Sequence, residues 1–188
     1  MNYRLIETKD FESILRIYQQ YIETNITFEY ELPTLSVFTD RIEQVMEEYA
    51  CIVYERDGEI LGFAYAHQLA ERAAYKSSAE LTVYTSKASK GLGVGKGLYK
   101  LLMNICQYQG IQTVYGLVTV GNTASELLHE KLGFKRVGTL SRVAYKNNQW
   151  LSLAYFEKQL GGYPEAGFDI RPINQLDDGE LKALFSKD

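Results

Sequence analysis

Cysteine and histidine are scarce in this chain, with two of each among 188 residues. Cys51 and Cys106 stand in unrelated contexts, so no disulfide framework suggests itself. Two histidines beside them supply no zinc cluster. Long apolar runs are also missing. The opening M-N-Y-R-L-I-E-T-K-D carries no apolar signal core. No later stretch reaches the ~20 apolar residues that cross a bilayer. Nor is there a basic excess: the net charge is −4 and the pI about 5.3. Nucleic-acid proteins leave a basic patch or stripe instead. These absences imply a cytoplasmic protein with reduced thiols, no metal, no membrane segment and no nucleic-acid partner.

What is present fits one globular domain. Hydrophobic residues make up 46% and charged residues 23%, an ordinary balance for a chain long enough to bury a core without staples. Tyr3–Glu7 reads as a strand. Asp10 then caps a helix with Ile14, Leu15, Ile17, Tyr18 and Ile22 at helical spacing. The segment 27–31 reads as short and extended. Pro33-Thr34 starts a helix that turns Val37, Phe38, Ile42, Val45 and Met46 to the core. Strands follow over 51–54 and 60–66, joined at Arg56-Asp57-Gly58. The pattern continues with a strand over 80–85, a helix over 93–108, a strand over 114–120 and a helix from Asn122 to a glycine stop at Gly133. Strands over 134–140 and 150–157 close it, with Asn147-Asn148 as the turn. The fold class is therefore α/β, a mixed sheet with helices against it.

The densest signal is S-K-G-L-G-V-G-K-G-L-Y-K-L-L-M, where Gly91, Gly93, Gly95 and Gly97 open an amphipathic helix just after a strand. Glycine lets another group approach the backbone, and free amides at a helix start favour an anion. Lys90 and Lys96 add positive charge. This suits a pyrophosphate. A Walker loop would need Ser or Thr after the lysine, but Gly97 follows Lys96. A dinucleotide fingerprint belongs near the first strand, whereas this turn lies mid-chain.

The same segment resembles the Q/R-x-x-G-x-G/A signature of the GNAT acetyltransferase superfamily, with Lys90, Gly93 and Gly95 on its fixed positions. Lys90 replaces the usual Gln or Arg and keeps the donor role. Y-I-E-T-N-I-T-F, D-G-E-I-L-G-F-A-Y-A, E-R-A-A-Y-K-S-S-A-E-L-T-V-Y-T, N-T-A-S-E-L-L-H-E-K-L-G-F and W-L-S-L-A-Y-F further resemble the phosphinothricin acetyltransferase family. The resemblance implies a mixed sheet of about seven strands, splayed at a cofactor groove, with helices on both faces. It implies acetyl-CoA as co-substrate, a small-molecule amine as acceptor and a homodimer. Residues 1–160 would form the acetyltransferase domain, and 161–188 an extension made of a short strand and a helix.

By that resemblance Glu80 takes a proton from the substrate ammonium. Leu81, Val83, Tyr84 and Thr85 would offer backbone groups to the pantetheine arm, with an amide near Val83 polarising the thioester carbonyl. The turn residues Lys90, Gly91, Leu92, Gly93, Val94, Gly95 and Lys96 would hold the pyrophosphate. Asn122 and Ser125 would meet the pantetheine, although Asn122 equally suits a plain N-cap. His129 occupies a tyrosine position and serves either as the acid for the leaving thiolate or as a packing residue. Phe28, Arg72 and Tyr75 match acceptor positions, Arg72 being suited to a carboxylate. Glu29 and Leu151 depart from an expected Arg and His, which disfavours a strongly anionic acceptor. A protein or peptide N-acetyltransferase and a non-catalytic CoA-binding module are the alternatives.

Overall fold

The structure, a computed structural model, describes residues 2–165 and 169–185. Seven strands form one sheet in the order β1-β2-β3-β4-β5-β7-β6. They are β1 (Asn2–Leu5), β2 (Cys51–Arg56), β3 (Glu59–Gln68), β4 (Ser78–Thr85), β5 (Thr113–Thr119), β6 (Lys135–Lys146) and β7 (Gln149–Gln159). Every neighbouring pair is antiparallel except β4 and β5. The tight turns lie where positive φ was signalled: Asp57-Gly58 joins β2 to β3, and Asn147-Asn148 joins β6 to β7.

Both faces of the sheet are covered, as strand alternation requires. Cys51, Val53 and Phe63 turn to one face, where they pack with α1 (Phe11–Gln19) and α2 (Leu35–Met46) through Ile14, Ile17, Tyr18, Phe38 and Ile42. Ile52, Ala64, Leu81, Val114 and Phe156 turn to the other, against α3 (Val94–Gln109) and Leu132 just beyond α4 (Thr123–Lys131). Thr34 caps α2 by accepting from the Val37 amide. Asp10 precedes α1 without a side-chain cap bond; its carboxylate instead takes two bonds from Arg4. Val37, expected in the core, is exposed because it lies on the solvent side of the first turn of α2. Residues 20–34 form neither helix nor strand, so the extended reading of 27–31 is corrected.

The segment after β7 finishes the core. Ile173, Leu176 and Leu184 are buried in the α3 layer, and α5 (Asp178–Phe185) packs on α3. The backbone at Asp169 closes on Gly110, where an added Cβ would stand 2.7 Å from a carbonyl oxygen. The short strand expected here is not found among the described residues. Residues 169–173 cross the end of α3 singly, and the amides of Arg171 and Ile173 bond to the carbonyls of Gln109 and Glu48 rather than to a ladder. Phe168 lies outside the described residues.

Candidate active site

The sheet is interrupted at its centre. β4 and β5 are paired only at Ser78–Thr113, Ala79–Val114 and Glu80–Tyr115. Beyond Glu80 the strands diverge, although β4 runs on to Thr85 and β5 to Thr119. The opening is a cleft of about 190 Å³ lined by residues 80–84, Leu117–Thr119, Tyr99, Asn122, Ser125 and the segment Ile26–Phe28. Backbone groups of β4 that face β5 here have no strand to pair with, which leaves them for a ligand.

Both helices that follow these strands begin beside the opening. The turn before α3 reaches its N-cap, Gly93, in the left-handed conformation with φ +76°, and no side chain caps that end. Uncapped amides and the helix dipole are features that suit an anion. A Cβ at Gly95 would meet Thr85 and Leu128 at ordinary contact distance, 3.5 and 3.8 Å. Gly97 serves a different purpose: an added Cβ would overlap the Tyr3 hydroxyl, so this glycine lets α3 lie on β1. Asn122 caps α4 by accepting from the Ser125 amide at 3.4 Å. Leu81–Tyr84, Asn122 and Ser125 line the cleft, and Gly95 lies near Thr85 at the end of β4; Lys90 and the other turn residues, Gly91–Val94 and Lys96, are not among its lining.

Glu80 stands at the last paired rung. Burial raises its carboxyl above the ordinary value, and the charge of His67 opposes that rise. His67 is its register partner on β3. The His67 Nδ1–H donates to the Gln68 carbonyl at 3.0 Å, and Nε2 lies 3.8 Å from Glu80 Oε2. A carboxyl held up by burial, at the vertex of a cleft, is suited to taking a proton near neutral pH. Nothing in the local sequence around Glu80 signals His67; only the β3–β4 register brings it there.

His129 is 1% exposed and does not line the cleft. A Cβ at Gly116 would overlap its ring, so β5 makes room for it there. Its Nδ1 lies 2.8 Å from the Ser125 carbonyl, which can only accept, so the proton sits on Nδ1. Burial lowers its pKa and keeps the ring neutral. Nε2 then accepts from the Tyr99 hydroxyl at 3.0 Å. The group facing the cleft is Tyr99, with its phenol pKa raised by burial and by the charge of Glu80. Of the two roles the sequence left open for His129, acid or packing residue, this geometry favours the second: its one N–H is committed to a carbonyl, and Tyr99, not His129, lines the cleft. Tyr99 escaped notice in the sequence because it sits in the apolar stripe of α3.

The acceptor residues separate. Phe28 lines the cleft together with Glu80. Arg72 and Tyr75 lie exposed on the loop between β3 and β4 and do not line it. A second cleft of about 530 Å³ shares Ile26, Thr119 and Asn122 with the first and adds Trp150 and Leu151. No lysine or arginine is among the residues lining either.

Comparison with known proteins agrees with this architecture. Residues 3–153 match the family described as "Acetyltransferase (GNAT) domain". The phosphinothricin N-acetyltransferase of Streptomyces viridochromogenes is 32% identical over 168 residues, 89% of this chain and 91% of its own. An L-methionine sulfoximine/L-methionine sulfone acetyltransferase of Pseudomonas paraeruginosa is 30% identical over 103 residues, 55% of this chain and 60% of its own. A crystal structure of a GNAT phosphinothricin acetyltransferase from Sinorhizobium meliloti in complex with AcCoA superposes with a TM-score of 0.83 at 25% identity, covering 92% of this chain and 95% of that one. With the family model spanning most of its length and the sheet parted where a thioester arm can enter, this chain belongs to the GNAT acetyltransferase family.

Proposed function

We propose that this acetyltransferase moves the acetyl group of acetyl-CoA to the amino group of a small molecule, an amino acid or close analogue with an uncharged side chain. The observation that carries the reading is the parting of β4 and β5 just past Glu80. It supports a thioester arm lying along Leu81–Thr85, with its pyrophosphate on the amides of Gly91–Lys96, Lys90 nearby and Asn122 and Ser125 at the arm. Acetyl-CoA supplies the activated acyl group. Glu80 takes a proton from the acceptor ammonium, and the freed amine attacks the carbonyl. Tyr99 turns its hydroxyl hydrogen from His129 Nε2 to the departing sulfur, gives it up there and is reprotonated from the acceptor nitrogen. One acetyl group moves and one proton is released to solvent from Glu80.

The preference for an uncharged side chain rests on the lining of the clefts, which offers no cation to a phosphinate. Glu29, where an arginine was expected, is paired with Arg41. The relatives that acetylate phosphinothricin or methionine sulfoximine and sulfone support an amine of this size. The test is thiol release from acetyl-CoA with methionine sulfone, methionine sulfoximine, phosphinothricin, free amino acids and short peptides. Turnover best with the sulfone or sulfoximine is expected. A clear preference for phosphinothricin overturns the side-chain assignment, and turnover only with peptides overturns the small-molecule reading.

A homodimer belongs to the same proposal. Val137, Leu140, Val143 and Tyr145 are exposed along β6, the edge strand of the sheet. Apolar exposure of this extent on an edge favours a second copy. A monomer mass by light scattering at micromolar concentration would exclude it.

A further inference from the structure

Lys146, the last residue of β6, is 3% exposed. Its ammonium donates to three carbonyls, those of Ile22, Thr24 and Thr27, each at 2.7 Å. All three ammonium hydrogens are thus used, and all three acceptors lie in the stretch without secondary structure between α1 and α2. No carboxylate among the described residues lies within ion-pair distance of it. A buried cation solvated only by backbone dipoles is costly unless every donor is met. Burial accordingly lowers its pKa, against the opposing charges of Glu23 and Glu29.

What the lysine holds is the wall of the cleft. Ile26, Thr27 and Phe28 line the same cleft as Glu80. The segment has no helix or ladder bonds of its own to fix its carbonyls, so the tether replaces them. Neighbouring bonds act on the same stretch. The Asn147 side-chain amide donates to the Glu23 carbonyl at 3.3 Å and to Asn25 Oδ1 at 2.8 Å. The Thr119 hydroxyl donates to the Asn25 carbonyl at 2.6 Å. The turn between β6 and β7, more than a hundred residues away in sequence, thereby sets where the wall stands.

We propose that Lys146 is a positioning residue for acceptor recognition, its ammonium fixing residues 22–28 so that Ile26, Thr27 and Phe28 keep their place in the cleft that Glu80 lines. This rests on the acetyl-transfer reading for its kinetic consequence, but not for its structural one. The three hydrogen bonds of Lys146 all go to residues 22–27 and none to β4 or the turn before α3, so the larger effect is expected on the acceptor.

Lys146→Met keeps the stem and removes the donors. The expected result is a rise in amine KM of about tenfold or more with a smaller change in kcat. The KM for acetyl-CoA should be unchanged, and amide exchange should be faster at 22–28 but not in β4 or α3. Lys146→Arg, which spreads its donors over a plane instead of converging them, should fall between. A merely structural lysine would lower the active fraction and leave both KM values alone; that outcome overturns the proposal, as does an equal rise in both. Should Lys146→Met fail to fold, Asn147→Gly removes the weaker tether at a turn position with φ +49° that glycine accepts. It should raise amine KM alone, by less, and no rise overturns the proposal. If the unaltered protein releases no thiol with any amine, the acetyl-transfer reading fails by itself. The exchange comparison needs no turnover and still decides the clamp: unchanged exchange at 22–28 overturns it.

Discussion

In the proposed arrangement, with acetyl-CoA on one side of the cleft and the amine on the other, the two walls are built by different means. The donor wall is backbone: a strand freed of its neighbour past Glu80, a left-handed glycine at the start of α3, and Asn122 capping α4. The acceptor wall is an irregular segment pinned by side chains from elsewhere, above all Lys146, Asn147 and Thr119. A wall of backbone suits a cofactor that is the same in every turnover. A wall hung on a few side chains can be moved by a few substitutions, which suits an acceptor that differs among relatives. Changes on one side should therefore register in one Michaelis constant, changes on the other side in the other, and changes at the vertex in kcat.

The vertex gives the largest expected effect. Glu80→Gln keeps shape and removes the proton acceptor, so kcat at neutral pH should fall about 10²–10⁴-fold. The deficit should narrow at high pH, where the amine is already neutral. A wild-type rate in Glu80→Gln at neutral pH would remove Glu80 from the base role. Tyr99→Phe should lower kcat by about 10²-fold while both KM values hold; His129→Asn should act in the same direction and less. Loss of activity in the histidine variant alone would return the acid role to His129.

On the donor wall, Gly95→Val is a cleaner probe than Gly93→Val. Gly93 needs positive φ and would be strained by any side chain, whereas Gly95 has ordinary space for a Cβ. Acetyl-CoA affinity should fall at least about tenfold, ~1.4 kcal/mol, with amine KM unaffected. Unchanged affinity by calorimetry in a folded variant would take the pyrophosphate off this turn.

The raised carboxyl of Glu80 carries a stability consequence of definite sign. The folded state keeps this proton at a pH where the unfolded chain has lost it. Stability from this group is therefore present at acid pH and declines as pH rises from 4.5 through the raised folded value. Glu80→Gln removes the decline. It should melt higher than the unaltered protein at pH 7, by about 2–4 °C for each kcal/mol relieved, and no higher at acid pH. Equal melting at pH 7 would mean that burial does not burden this carboxylate.

The smallest effect is expected at Arg72. Being exposed, a guanidinium there contributes no more than about 1 kcal/mol to an ion pair, near fivefold in KM. Arg72→Lys should raise amine KM by less than that for carboxylate-bearing acceptors only. A larger rise would mean that the loop between β3 and β4 closes over the acceptor.

The difference between the walls also explains what the sequence disclosed. The donor wall is local: the glycines, Lys90 and the helix they open lie within a single turn and its helix, and Asn122 announces α4 by itself. Glu80 precedes that turn by ten residues. Even there, Gly97 looks like its neighbours and packs instead against Tyr3, which no local pattern reveals. The acceptor wall is non-local. Lys146 reads as a charge at a strand end, and its carbonyl partners carry no side-chain signature at all. His129 was visible, but Tyr99, the residue it orients, lay in an apolar stripe, so the order of the two from cleft to core was not legible. The tail helix followed from its spacing; the path of 169–172 across α3 depended on a surface that only the folded body presents.

The three-rung pairing of β4 with β5 makes the sheet mechanically two plates joined along a short hinge. On one side of the hinge lie strands β1 to β4, on the other β5, β7 and β6. In any such wedge the mouth travels furthest and the pin least. Glu80 occupies the pin, so breathing of the sheet can widen the entrance for a bulky thioester or an amine while the proton acceptor keeps its place.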